Sequence, residues 1–161
     1  IWENTAAIQP SMQTALRLFG INGTPLYIIL LFIGIAATCL VIYVFKATNR
    51  LSLRGSAMVL GIFAVVPYFI EYDLMLLCIP TILLIYDCLQ EGYCKTDYIA
   101  IGALWLMPLI NIPLVKVTRV QICPFVVIAL LIYVYCRAKV ASKNTQSMME
   151  HLTKSLNQKT I

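Results

Sequence analysis

The stretch PLYIILLFIGIAATCLVIYVF, Pro25 to Phe45, runs for 21 residues without one ionisable side chain. An α-helix needs about 20 such residues to cross a ~30 Å hydrocarbon layer. The run is apolar at every position, so it lacks the alternation of a membrane β-strand, and the chain reads as all-α, a polytopic helical membrane protein. Thr24 reads as the N-cap, with Pro25 at the first helical position and Lys46 as the stop. The whole chain of 161 residues agrees: 61% are hydrophobic, 12% are charged and the mean hydropathy is +0.87. Soluble domains carry about twice that share of charge.

Downstream of Phe45, the linker from Lys46 to Arg54 holds three cations (Lys46, Arg50 and Arg54) before a second apolar run, Gly55 to Ile70. Residues 56–86 contain just two ionisable groups, Glu71 and Asp73, and read either as one long span or as a hairpin turning at Pro67 to Asp73. Charge counting separates the two. A hairpin puts seven cations (Lys46, Arg50, Arg54, Lys95, Arg137, Lys139, Lys143) on one side against three (Arg17, Lys116, Arg119) on the other. A single span gives five against five. Because cytoplasmic loops collect Lys and Arg, the hairpin is preferred, and it leaves Glu71 and Asp73 at a water interface.

The expected order is an external amphipathic segment (1–23), a transmembrane bundle (24–137) and a cytoplasmic amphipathic tail (138–161). About five spans are expected, near 25–45, 55–70, 74–89, 98–113 and 122–136. In the first segment Pro10 can open a helix whose Met12, Ala15, Leu16 and Phe19 share a face and which Gly20 closes, lying on a membrane face. In the tail, Ser147 and Glu150 have capping-box spacing ahead of Leu152 and Leu156. Pro67, Pro80, Pro108 and Pro113 interrupt the middle spans, and broken helices are tolerated where they line a cavity, which points to an external groove.

Composition excludes much chemistry. The single histidine, His151, sits in the polar tail, so neither a catalytic triad nor a multi-histidine metal site is available in the membrane portion, and no metal or cofactor is expected. The six cysteines form no C-x-x-C pair and read as small apolar fillers. The net charge of +5 reports orientation, with no basic stripe that would bind nucleic acid.

The candidates for chemistry border the external side. Asp73 reads as a cap on the following helix, or, with Tyr68 and Tyr72, as a groove residue that hydrogen-bonds a hydroxyl-rich substrate. Arg17, Lys116 and Arg119 are the external cations that a lipid-linked phosphate would need, and interface snorkelling accounts for them equally well. Asn111 either satisfies backbone groups freed by Pro108 and Pro113 or meets a ligand. Trp2, Trp105 and the nine tyrosines read as interface anchors or packing.

The order of features is similar to a known family. Trp2-Glu3, then Pro10-Ser11-Met12-Gln13-Thr14-Ala15-Leu16-Arg17-Leu18-Phe19-Gly20, a long span, a basic linker, Pro67-Tyr68-Phe69-Ile70-Glu71-Tyr72-Asp73-Leu74 and Ala103-Leu104-Trp105-Leu106-Met107-Pro108-Leu109 resemble the C-terminal part of bacterial glycosyltransferase family 87. The resemblance runs from about Trp2 to Lys139. It implies a C-terminal fragment of a larger GT-C-type bundle in the bacterial cytoplasmic (inner) membrane. Its activity would be transfer of a hexose, typically mannose, from a polyprenyl-phosphate sugar donor to a glycan or lipid-linked acceptor on the external face. The resemblance matches Pro67, Tyr68, Tyr72, Asp73 and Leu74, and the substrate-binding residues expected are Tyr68, Tyr72, Asp73 and Arg17. In GT-C enzymes the catalytic base is an acid in the first external loop, so no catalytic residue is assigned here, and the chain alone is expected to be inactive. The competing readings are a transporter or flippase of a lipid-linked substrate and a non-catalytic membrane accessory protein.

Overall fold

The computed structural model describes residues 9–118 and 120–159, without the side chains of 71 and 144–159. The Trp2-Glu3 motif, Arg119 and the side chains of Ser147 and Glu150 therefore lie outside the described residues. All regular elements among the described residues are helical: α1 (Met12–Leu18), α2 (Thr24–Ala47), α3 (Leu51–Val65), a 3-10 segment (Glu71–Leu77), α4 (Cys78–Glu91), α5 (Lys95–Thr118) and α6 (Cys123–Lys159).

Among the described residues four stretches are long and apolar enough to cross a membrane: Thr24–Ala47, Tyr72–Glu91, Lys95–Thr118 and Cys123–Lys143. The second expected span, 55–70, is instead the 15-residue α3, which starts at Leu51 and stops at Val65. At 1.5 Å per residue it is about 22 Å long, shorter than the hydrocarbon layer.

The chain does double back after α3. Ser52 meets Asp87, a Cβ on Gly55 would meet Leu83, and Ser56 lies 3.5 Å from the Pro80 carbonyl, so contacts advance along α3 as they recede along α4. The two helices are antiparallel, and the single long span is excluded. The turn spans 66–70, where Val66 ends α3 with extended backbone ahead of Pro67. Phe63 and Phe69 stack across it at 4.2 Å.

The caps correct several expectations by a residue or more. Ser11, rather than Pro10, opens α1, its Oγ accepting the Thr14 N–H at 3.3 Å. Gly23, at φ +73°, precedes α2, so Thr24 is the first helical residue and supplies no side-chain cap. Arg54 closes α2 from the next helix: its guanidinium donates to the Thr48 and Phe45 carbonyls at 2.6 and 2.7 Å, where the dipole favours a cation. Pro80 sits in the first turn of α4, where the missing N–H costs little. Pro108 and Pro113 lie inside an uninterrupted α5, so of the four prolines expected to break spans only Pro67 does so. No new helix starts at Ser147. α6 continues unbroken from Cys123 for 37 residues, and the separate surface helix expected in the tail is part of it.

The bundle core gathers Leu53, Leu60, Leu74, Leu77, Leu84, Leu104, Leu131 and Val134, all essentially solvent-free. A satellite cluster joins α1 to the start of α2 through Met12, Leu16 and Leu26, with Ile128 of α6 against it. The apolar face of α1 is thus turned onto the bundle, although Phe19, expected on that face, is exposed, with its ring edge-on to that of Phe125 at 6.3 Å between centroids. Gly55 and Gly61 let α3 approach its neighbours closely: a Cβ at Gly61 would lie 2.5 Å from Val41 Cγ2 on α2. Because Val41 is stiff at χ1, Gly61→Val is expected to destabilise the bundle by about 1–3 kcal/mol, and Val41→Ala to recover part of the loss, in a thermal-melting double-mutant cycle.

Candidate functional site

Two polar features occupy opposite ends of the bundle. At the end where α3 begins and α4 finishes, Asp87 and Asp97 are each 1% exposed. Arg137 of α6 reaches both: its Nε donates to Asp87 Oδ2 at 2.7 Å and its Nη1 to Asp97 Oδ2 at 2.6 Å. Asp87 also accepts from Ser52 Oγ at 3.0 Å, and Arg50 stands 3.7 Å from it while pairing with Glu91 at 2.8 Å. Asp97 accepts from the Tyr133 hydroxyl and, at 2.7 Å, from the Cys94 N–H, which caps α5. Every carboxylate here therefore has a charge-assisted donor, as buried acids require. The cluster draws one residue or more from α3, α4, α5 and α6 and ties them together, and its Asp97, Tyr133 and Arg137, with Arg50 and Glu91, also line a cavity of about 510 Å3.

At the opposite end, a cleft of about 560 Å3 opens between α1, α2 and the turn after α3. Its polar lining is Gln13, Tyr27, Thr38 and Tyr68. Its apolar lining includes Leu31, Ile35, Val65 and Pro67, and Gly34 adds no side chain to the wall. Thr38 turns its hydroxyl back to the Gly34 carbonyl at 2.8 Å. The α2 side of the cleft belongs to the least covered of the long helices, with 11% of its apolar window buried.

Tyr68, 66% exposed, is the one of the four expected substrate residues that lines this cleft. Tyr72 is 84% exposed and lies outside the lining. Asp73 is not the N-cap it was expected to be: it is the third residue of the 3-10 segment, with Ile70 at the cap position, and its Oδ2 reaches back to accept the Ile70 N–H at 2.9 Å while its own N–H donates to the Ile70 carbonyl. Arg17 is exposed on α1, one turn beyond Gln13 and on the same side of that helix. Asn111 is buried, and its Nδ2 has no partner among the described residues.

Sequence reading missed Gln13 and the Asp87–Arg137–Asp97 cluster. A carboxylate within the leucine-rich run after Leu74, four residues ahead of Glu91, was the available signal for the cluster. For Gln13 there was none beyond a polar residue beside Met12. Of the six free cysteines Cys123 is a buried filler, Cys88 is buried with its Sγ donating to Asp97 Oδ2 at 3.4 Å, and Cys39, Cys78, Cys94 and Cys136 are exposed.

Arg137→Met strands two buried carboxylates and is expected to cost about 3–5 kcal/mol in detergent unfolding. Adding Asp87→Asn and Asp97→Asn to that variant should restore most of the loss, because the groups left behind are then neutral. Comparison of the chain with protein families, with curated proteins and with solved structures found no match.

Proposed function

We propose that this chain is part of a membrane-embedded hexosyltransferase that takes its sugar from a polyprenyl-phosphate donor, and that the cleft at the α1 end receives the donor. The observation that carries the reading is the shape and lining of that cleft. It offers tyrosine hydroxyls and a carboxamide at the Gln13 end and an apolar track along α2, which suits a polar head on a long hydrocarbon chain. The likeness of the Pro67-Tyr68 and Tyr72-Asp73-Leu74 runs to glycosyltransferase family 87 supports the same reading.

In this reading the chain crosses the bacterial cytoplasmic membrane five times, α3 included, with the α1 end outside. The Asp87–Arg137 end faces the cytoplasm, together with Lys46, Lys95, Lys139 and Lys143. Arg17, exposed beside the cleft, supplies the positive charge for the donor phosphate. Tyr68 and Tyr72 offer ring faces and hydroxyls to the sugar. The acceptor hydroxyl, of a glycan or a lipid-linked sugar, attacks the anomeric carbon, its proton passes to a carboxylate base, and polyprenyl phosphate leaves. No residue of this chain is assigned as that base. A carrier of lipid-linked substrate is the second reading, favoured by the opening of the cleft along the exposed side of α2.

Transfer of radiolabelled hexose from a polyprenyl-phosphate donor by the full-length protein in proteoliposomes tests the proposal, and movement of the donor across the bilayer without transfer would replace it with the carrier. Tyr68→Ala is expected to lower transfer about tenfold, a loss of ~1.4 kcal/mol in transition-state stabilisation. Asp73→Asn keeps a side-chain oxygen to accept the Ile70 N–H, so a fall in its rate reports a substrate contact, and an unchanged rate confines Asp73 to that bond.

A further inference from the structure

Gln13 is 4% exposed, and its carboxamide makes no hydrogen bond to any described residue. Neither its Oε1 nor its Nε2 is among the fully buried side-chain atoms that lack a partner, so both stay open to the space beside them. What remains accessible of it faces the cleft between α1, α2 and Pro67-Tyr68.

Among the described residues, none that lines that cleft carries a charge. The polar groups offered are the Gln13 carboxamide and the hydroxyls of Tyr27 and Tyr68, each of which can donate and accept. A phosphate would leave the Gln13 carbonyl facing an anion, and an ammonium would leave its N–H groups facing a cation. A sugar hydroxyl also donates and accepts, and satisfies both sides of the amide. Beyond these groups the wall continues as Leu31, Ile35 and Val65, the surroundings of an alkyl chain.

We infer that Gln13 is the residue that reads the sugar: the cleft takes the hydroxyl-rich head of a lipid-linked sugar, and the Gln13 carboxamide hydrogen-bonds that head group's hydroxyls. This deepens the function proposed above and rests on its assignment of the cleft to a lipid-linked sugar. It places the sugar, rather than the phosphate, against the inner wall.

The test uses the full-length protein in phosphatidylcholine nanodiscs and two photoreactive probes of equal chain length, an alkyl glucoside and an alkyl phosphate. The glucoside is expected to label residues 27–39 and the phosphate to label them weakly. Gln13→Met, which keeps an unbranched side chain of similar volume, should cut glucoside labelling about tenfold and leave phosphate labelling unchanged. Equal labelling of the wild-type protein by both probes overturns the inference without any variant, as does glucoside labelling that survives Gln13→Met. Gln13-dependent labelling in a protein that transfers no hexose keeps the inference and removes the transferase. Hexose transfer with labelling indifferent to Gln13 does the reverse.

Discussion

A single guanidinium in an apolar bundle bears on two carboxylates, and the geometry of the other helices follows from that contact. Asp87 near the end of α4 and Asp97 at the start of α5 are almost out of reach of solvent. An ionised acid in such a place is tolerated only with a partner at hydrogen-bonding distance. Arg137 meets this need for both because its planar fork presents Nε and Nη1 in different directions, one to each acid. The loop between α4 and α5 is thereby tied against α6, and Arg50 and Ser52 bring the start of α3 to the same point. The arrangement exists only if α3 and α4 form a hairpin, since otherwise Ser52 and Asp87 would lie at opposite ends of the bundle.

The opposite end is built on different terms. There the chain is held by apolar contacts of Met12, Leu16 and Leu26 and by the stacked pair Phe63 and Phe69, while the polar groups are left facing a cleft. The break at Pro67 is what makes room: α3 stops short, the chain runs extended to Ile70, and Tyr68 is delivered to the mouth rather than packed into a helix face. Gly34 on α2 widens the track below it. One end thus pairs its buried carboxylates with guanidinium groups and fastens helices, and the other has neutral polar groups with spare hydrogen-bonding capacity. That division of labour is why the cleft, and not the charged cluster, carries the functional proposal.

Much of this was legible beforehand. Helical class, the long first span and the return of the chain near Pro67 follow from hydropathy and from cation counting, because a bilayer penalises charge so heavily that composition alone reveals which segments enter it. That Asp73 bonds a helix N-terminus was readable from its place ahead of Leu74, but not that it does so from inside the 3-10 segment with Ile70 at the cap. Less legible were the boundaries. Ser11 and Gly23 hold the cap positions that Pro10 and Thr24 were expected to mark, and α5 absorbs two prolines that pattern alone reads as breaks.

The sequence by itself determined that this chain is helical, which stretches are apolar enough to span a membrane, and which of its segments collect cations. These are properties of consecutive residues, set by the cost of placing charge and unpaired backbone in hydrocarbon. Only the tertiary structure decided that Asp87, Asp97 and Arg137, up to 50 residues apart, form one cluster, and that Gln13, Tyr27 and Tyr68 share one cleft. Helical periodicity says which residues share a face of their own helix. It does not say which face meets which, because that depends on side-chain packing between helices and on where the turns allow them to approach.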